Sequence, residues 1–338
     1  MIRAAIVTLA VLMLGATAMR ADVAMAWSGG GTILVAHDSK IEGFNRGGEK
    51  MLWSAKGLDS PSAIVMSADG TSAAILDGFA DRVAVVSVAD GNVALYETPT
   101  TPIAATFFGH DLWLSLRDGS RVLRITPKGE KTEIPVALDP SHIAASDQFV
   151  YVYSRAAGLL QEIDPSSAQI ARKLTIGSAG SDFEVRSTKP GDQAGATAFL
   201  CRPADGMVVA IDLVPLTSRD MQSGFSAPVD LAFVPFGAQL SLDPGTSVIA
   251  DPGKQALLIS KDPGPGRAVS QPTPVDRVFI TGAGLFAFDT NSGTLYRVDG
   301  KTATKIASGL TATSFVPTSD ALFTWDAKAG KPRRATIR

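Results

Sequence analysis

Four positions in the sequence could bring oxygen and nitrogen ligands together in the folded chain. Each lies at the start of a short apolar segment, in units that follow one another along the chain: His142, Asp182, Asp230 and Asp276. Carboxylate oxygens with an imidazole can bind a divalent cation, so a metal or ligand site is one interpretation. The other is local, because an aspartate before a strand often accepts a hydrogen bond from a nearby backbone N–H.

A second set of positions carries positive charge where the second strand of each unit is predicted to end. Its members are Arg117, Arg155, Arg202 and Lys261. An arc of cations on one face would suit a small anionic ligand or an acidic partner surface, since arginine forms forked bonds to carboxylates. The alternative is that Arg117 and Arg202 pair with Asp118 and Asp205 while the others are solvated.

Familiar catalytic and cofactor motifs are missing from the sequence. The three histidines do not form H-E-x-x-H, and neither G-x-S-x-G nor a P-loop occurs. The single cysteine, Cys201, lies in an apolar segment, which predicts a buried thiol and excludes a disulfide framework. A formal net charge of −2 argues against a nucleic-acid-binding protein. No cofactor is assigned beyond the divalent cation considered above.

The chain consists mainly of a repeated unit of short strands. The second strand of successive units reads ILVAHD (33–38), AAILDG (73–78), LWLSLRDG (112–119), VYVYSRAAG (150–158), AFLCRPADG (198–206), LLISKD (257–262), LFAFDTNSG (285–293) and LFTWDAKAG (322–330). Pairs such as Asp69-Gly70 and Asp90-Gly91 are hairpin signals, and a period of about 40 residues is typical of a propeller blade. We therefore predict an all-β propeller of seven four-stranded blades, with eight as the alternative.

Two segments leave the number of blades open. Residues 213–250 contain four prolines and are interpreted as an insertion or a distorted blade. Residues 311–338 could add strands to a blade begun at the N-terminus, a closure that would remove free sheet edges.

The first 26 residues have the three parts of a secretory signal: Arg3, an apolar run over 4–14, and A-x-A cleavage options at 16–18 and 24–26. The run is shorter than the roughly 20 residues of a membrane span, although an uncleaved anchor is the alternative. No cysteine lies near the cleavage options, so no lipid anchor is expected. We expect a signal peptide at 1–26, a single propeller at 27–338, and a periplasmic or secreted product without a transmembrane segment.

Three segments carry a resemblance to a known family. SAIVMSADGTSAAIL (62–76) and RVAVVSVADGNVALYETP (82–99) resemble the YVTN-type β-propeller repeat, and IADPGKQALLIS (249–260) is similar to the start of another such repeat. The resemblance covers roughly residues 30–338. Related propellers include lactonase-like proteins and the large subunit of periplasmic amine dehydrogenases, so the resemblance implies a fold and leaves the function open.

Two classes of function fit these observations. The first is a non-enzymatic module that binds or scaffolds a periplasmic protein partner or a small anionic ligand, and it is favoured because no catalytic set occurs. The second is enzymatic. A metal-dependent lactonase-like hydrolase would use the carboxylates to hold a cation that activates water. A large subunit of an amine-dehydrogenase-like enzyme would instead hold a cofactor-bearing subunit.

Overall fold

The computed structural model describes residues 23–186, 197–221, 225–234, 242, 246–260, 266–281, 284–311, 313–318 and 320–335. Within these ranges the chain forms eight antiparallel sheets, each built from strands that are consecutive in sequence. The first four sheets, blades 1 to 4, contain β1 (Ala24–Trp27), β2 (Thr32–His37), β3 (Lys40–Asn45), β4 (Met51–Lys56); β5 (Pro61–Met66), β6 (Ser72–Asp77), β7 (Arg82–Ser87), β8 (Val93–Glu97); β9 (Pro102–Phe108), β10 (Asp111–Leu116), β11 (Arg121–Ile125), β12 (Lys131–Pro135); and β13 (Pro140–Ala145), β14 (Val150–Ser154), β15 (Leu159–Asp164), β16 (Gln169–Thr175).

Blades 5 to 7 also have four strands each, and blade 8 has three among the described residues. Their strands are β17 (Asp182–Arg186), β18 (Thr197–Arg202), β19 (Met207–Leu213), β20 (Leu216–Met221); β21 (Asp230–Phe233), β22 (Ser247–Asp251), β23 (Ala256–Ser260), β24 (Arg267–Ser270); β25 (Arg277–Thr281), β26 (Gly284–Asp289), β27 (Thr294–Asp299), β28 (Thr302–Ala307); and β29 (Phe315–Pro317), β30 (Leu322–Asp326), β31 (Lys331–Ala335). Two 3-10 turns, Pro203–Asp205 and Pro252–Lys254, join second to third strands in blades 5 and 6. No helix in the described ranges could cross a membrane.

The position of a strand in its blade explains its sequence pattern. Middle strands are covered on both faces by neighbouring blades, so β14 is buried at every residue, including Tyr151 and Tyr153. Outer strands face solvent on one side, and β16 accordingly alternates between exposed and partly buried residues. Cys201 lies in the middle strand β18 and is buried, as predicted.

The hydrophobic core is divided among the contacts between blades. Eight clusters of buried side chains occur, and each joins one blade to the next around the ring. The cluster that joins blade 8 to blade 1 includes Val316, Phe323, Ile33 and Phe44. The inner strand β1 likewise contacts both β5 and β29. The ring is therefore closed by packing, and the propeller prediction is confirmed with eight blades.

The last described strands form a blade of their own. Because β1 to β4 already complete blade 1, residues 315–335 do not add strands to it. The expectation that the chain end completes the first blade was therefore wrong. The inner strand β1 begins at Ala24, three residues before the boundary expected for the propeller, and residues 1–22 lie outside the described residues.

In blade 6, the sequence pattern predicted the wrong segment as the second strand. The segment LLISKD was predicted to be a second strand, but it overlaps β23, which is third in its sheet. The second strand is β22, SVIAD, so Asp251 takes the place that was given to Lys261. Both strands are short and apolar, and the repeat pattern alone did not separate them.

The connections between strands define two faces. The entry face carries the loops from each fourth strand into the next inner strand and the turns between second and third strands. Backbone hydrogen bonds join the two kinds of loop: the N–H groups of Gly78, Arg117 and Arg155 each donate to a carbonyl of the incoming loop at 2.8 Å. The far face carries the turns between first and second strands and between third and fourth strands.

Candidate functional site

Most residues of the predicted metal or ligand set lie at the same position of their inner strands, at the entry face. His142, Asp182 and Asp230 occupy the same register position in blades 4, 5 and 6, opposite Tyr153, Cys201 and Ala250. In blades 2 and 3 this position is held by Ala63 and Ala104. In blade 7 it is held by Arg277, so Asp276 lies one residue too early in the chain. The alignment was thus confirmed for three of its four members.

These side chains bridge neighbouring blades. Asp182 Oδ2 accepts a hydrogen bond from the N–H of Leu231 in blade 6 at 3.0 Å, and Asp230 Oδ2 accepts one from the N–H of Val278 in blade 7 at 2.6 Å. His142 Nε2 lies 3.2 Å from the carbonyl oxygen of Ser181 in blade 5. We call Asp182 and Asp230 the seam carboxylates.

The seam carboxylates hold protons more tightly than an ordinary aspartate. Burial raises the pKa of Asp182, against the effect of the Leu231 N–H and Arg277. Burial and the charge of Asp182 raise the pKa of Asp230. The pKa of Glu184 is also raised, by desolvation and by both seam carboxylates, although water reaches this side chain. Sequence analysis missed both Glu184 and Arg277. Glu184 lies two residues after Asp182 and hence on the same face of the strand, a signal that was available, whereas only the fold brings Arg277 to Asp230.

Asp276 has a local role. Its Oδ1 accepts a hydrogen bond from the N–H of Thr290 at 2.9 Å, and its Oδ2 accepts one from the hydroxyl of the same residue. Among the described residues, no three His, Cys, Asp or Glu side chains come together as a group that could hold a metal ion. The geometry therefore favours a hydrogen-bonding role for this set, within the blade for Asp276 and between blades for the other three, and its role in binding a divalent cation stays a prediction.

The predicted cationic arc is largely engaged within the protein. Arg155 Nε donates to Asp139 Oδ2 at 3.0 Å, and Arg202 forms an ion pair with Asp205. Arg117 is exposed and has no acidic side chain within ion-pair distance in the described part of the chain, so the pairing with Asp118 does not form there. Lys261 lies outside the described residues.

Arg202 also supports the loop that leads into blade 5. Its guanidinium packs so closely against Gly177 that a Cβ at this glycine would lie 2.6 Å from Cζ. The same loop is held by the Tyr153 hydroxyl, which donates to the Gly177 carbonyl at 2.9 Å and accepts from the Gly180 N–H at 2.9 Å. The contacts of Arg202 are thus those of a structural residue, and Arg117 is the described member of the arc that is open to a partner.

Buried aspartates end three of the second strands. Their carboxylates accept hydrogen bonds from nearby loops and turns. Asp77 accepts from the N–H groups of Asp59, Phe79 and Ala80 and from Arg82 Nε. Asp251 accepts from the N–H groups of Ser226 and Ala227, and Asp289 accepts from those of Asn291 and Ser292. The sequence signal is an aspartate directly after an apolar strand. Its role is to hold the entry-face loops in position.

Two large apolar side chains of the described residues are exposed in loops of the entry face, the face that also carries Arg117. Phe79 in blade 2 is 75% exposed, and Leu138 in the loop between blades 3 and 4 is 65% exposed. Hydrogen bonds link the turn that carries Phe79 to the turn that carries Arg117: Thr101 Oγ1 donates to Asp81 Oδ1 at 2.9 Å, and the Arg117 N–H donates to the Thr101 carbonyl at 2.8 Å. We call Phe79, Arg117 and Leu138 the entry-face strip.

The other exposed large apolar residues lie elsewhere. Met51, Leu52 and Leu95 belong to the outer strands β4 and β8, and Val214 lies in the turn between β19 and β20. Single exposed apolar residues are ordinary on protein surfaces. Phe79 and Leu138 share one face with an arginine that has no acidic partner among the described residues, and aromatic and arginine side chains are enriched at protein interfaces.

No family model and no curated protein match the chain. Among solved structures, Sqt1 from Saccharomyces cerevisiae is similar, with a TM-score of 0.69 and 10% identity over 95% of this chain and 97% of Sqt1. A virginiamycin B lyase from Staphylococcus aureus has a TM-score of 0.62 and 13% identity over 82% of this chain and 95% of the lyase. BamB from Moraxella catarrhalis has a TM-score of 0.61 and 10% identity over 93% of this chain and 96% of BamB.

At these identities the similarity shows the fold alone. The chain is a β-propeller. Its structural neighbours include a lyase as well as Sqt1 and BamB. The finer resemblance to the YVTN-type repeat stays a prediction, since no family model matches. Function must be argued from the surface of this chain.

Proposed function

We propose that the protein is an exported binding module that docks a protein partner on the entry-face strip. The observation that carries the proposal is that Phe79 in blade 2, Arg117 in blade 3 and Leu138 between blades 3 and 4 are all exposed in loops of the entry face. Aromatic and arginine side chains supply much of the binding energy at protein interfaces. The partner is expected to offer a carboxylate to Arg117 and apolar surface to Phe79 and Leu138.

The charge of the strip supports a protein partner over a small anionic ligand. Arg155 and Arg202 already pair with aspartates, so among the described members of the arc a small anion would meet only Arg117 unpaired. A single exposed ion pair contributes little by itself, typically about 0–1 kcal/mol. Burial of the two apolar side chains would add more, at about 25 cal/mol per Å² of apolar surface removed from water.

Site-specific photocrosslinking tests the proposal. A photoreactive phenylalanine analogue is placed at position 79, or in a second variant at position 138, in cells that produce the protein naturally. Both variants are expected to yield an adduct with the same protein. Arg117→Glu should reduce that adduct at least tenfold, because a like charge then meets the partner's carboxylate. Circular dichroism checks that each variant is folded.

The matched control places the same analogue at Leu95, an exposed apolar residue of the outer strand β8. It should not yield the adduct. Adducts with unrelated proteins at positions 79 and 138, or an adduct at the same level with Arg117→Glu, would contradict the proposal. Native mass spectrometry of the complex then measures its stoichiometry.

The enzymatic alternatives have no comparable support. The carboxylates that a lactonase-like site would need accept backbone or hydroxyl hydrogen bonds instead of forming a ligand group among the described residues. No observation on this chain favours a cofactor-bearing small subunit as the partner. We therefore propose the binding module alone.

Export is part of this proposal and makes a prediction about the mature N-terminus. Ala24 and Ala26 are buried in β1, so cleavage after Ala26 would remove three of the four residues of this inner strand. Cleavage after Ala18 would leave β1 intact. We expect the intact mass of the exported, C-terminally tagged protein to correspond to a chain that begins at Met19. A mature chain that begins at Trp27 would contradict this.

A further inference from the structure

Two neighbouring clefts open on the far face, on either side of blade 3. The first lies between blades 2 and 3, has a volume of about 370 Å³ and is lined by Tyr96, Phe107 and Leu112 among others. The second lies between blades 3 and 4, has a volume of about 790 Å³ and is lined by Phe108 and Phe149 among others. Both are also lined by His110 and Pro127, so a single ridge separates them.

The ridge is formed by two turns of blade 3. His110 belongs to the turn between β9 and β10, and Pro127 to the turn between β11 and β12. The His110 side chain is 75% exposed, and its Nδ1 lies 3.8 Å from Asp69 Oδ2. The ridge is therefore polar at its tip and flanked by apolar walls on both sides.

Charge in the second cleft is unbalanced. Arg124 is paired with Asp111, and its Nε donates to Asp111 Oδ2 at 2.7 Å. Its Nη1 donates to the Pro165 carbonyl at 2.9 Å. Asp147 is exposed, and no partner for it occurs among the described residues. Asp164 accepts hydrogen bonds from Ser166 and Ser167, which lower its pKa and keep it ionised. Two carboxylates thus lack a positive partner at this rim.

We propose that the two far-face clefts bind one extended segment of a partner protein, which crosses the His110–Pro127 ridge. One apolar side chain of the segment enters each cleft, and a lysine or arginine meets Asp147 and Asp164. An extended segment fits because its alternate side chains point the same way and can enter separate pockets. A small ligand would fill one cleft and leave the other unused. This site lies on the face opposite the entry-face strip and does not depend on it.

Peptide selection tests the proposal. The probe is a phage-displayed library of twelve-residue peptides, selected against the tagged full chain, and the most enriched peptide is titrated by fluorescence anisotropy. We expect enriched sequences with two apolar residues and at least one basic residue. Ala94→Trp and Gln148→Trp fill the first and second cleft from exposed positions, and each should weaken binding at least tenfold.

Two further variants complete the test. Asp147→Lys should also weaken binding at least tenfold, because the new lysine would repel the basic residue of the peptide. Arg117→Glu, on the entry face, should leave the affinity unchanged, which separates this test from that of the proposed function. The absence of enriched peptides, sensitivity to only one of the two tryptophan variants, or sensitivity to Arg117→Glu would each overturn the proposal.

Discussion

Replacing Asp77 by alanine is expected to lower the free energy of unfolding by about 3 kcal/mol or more. The Asp77 side chain is fully buried and accepts hydrogen bonds from three backbone N–H groups and from Arg82. In the alanine variant the three N–H groups lose the acceptor they have in the natural protein, and Arg82 loses a buried partner. Urea unfolding, followed by circular dichroism, measures the change.

Asp59→Ala is the matched control for this prediction. Asp59 also pairs with Arg82, but its side chain is 82% exposed. Its removal should cost little, since exposed ion pairs contribute about 0–1 kcal/mol. Equal losses for Asp77→Ala and Asp59→Ala would show that the buried network does not stabilise blade 2.

The Asp77 network also predicts how stability responds to acid. Burial by itself would raise the pKa of Asp77, but the N–H groups of Asp59 and Phe79 and the Arg82 guanidinium lower it below the ordinary value. The folded state therefore binds this proton more weakly than the unfolded chain does. The contribution of Asp77 is complete above the ordinary carboxyl pKa and is lost as the pH falls through the lowered value. The Asp77→Ala variant should lack this part of the acid response.

The seam carboxylates should give the opposite response to pH. Asp182, Asp230 and Glu184 have raised pKa values in the folded protein, chiefly because of desolvation, to which the charge of Asp182 adds for Asp230 and Glu184. The folded state then holds protons that the unfolded chain releases. Stability should fall as the pH rises above the ordinary carboxyl pKa and through the raised values, by at most about 1.4 kcal/mol per pH unit for each of Asp182 and Asp230 and by less for the exposed Glu184. Arg277 near Asp230 limits this effect.

Asp230→Asn isolates this effect. An asparagine can still accept the hydrogen bond from the Val278 N–H, but it carries no charge next to Asp182 and Glu184. We expect the variant to be more stable than the natural protein at pH 8 and to show a weaker decline in stability between pH 5 and pH 9. Urea unfolding across this range measures both quantities.

Asp81→Asn, an exposed position on the same face, is the control and should leave the pH dependence unchanged. A natural protein that becomes more stable as the pH rises from 5 to 9 would contradict the raised pKa values. So would an Asp230→Asn variant with the same pH dependence as the natural protein.

Sequence patterns alone predicted the propeller and most of its register. Apolar strands of five to seven residues, separated by turns with aspartate and glycine, allow a meander of antiparallel strands and little else. The same patterns aligned His142, Asp182 and Asp230, because each occupies one position relative to its own strand. Local order of this kind is encoded within a single unit and is therefore visible in the sequence.

Errors arose where two strands of one unit look alike. In blade 6, SVIAD and ALLIS are both short and apolar, and the 3-10 turn between them replaces the usual glycine-rich signal. In blade 8, the basic strand β31 was compatible with a strand that closes blade 1. The competing pairings have similar local patterns, and the packing of whole blades decides between them.

The sequence by itself determined that this protein is a ring of antiparallel blades with polar residues at the ends of apolar strands. Only the tertiary structure decided what those residues do. Asp182 meets a backbone N–H 49 residues away, and the two far-face clefts lie between blades whose lining residues are far apart in the chain. Such contacts depend on how the blades pack against each other. The sequence pattern of one repeat unit does not predict which residues of the next blade it will contact.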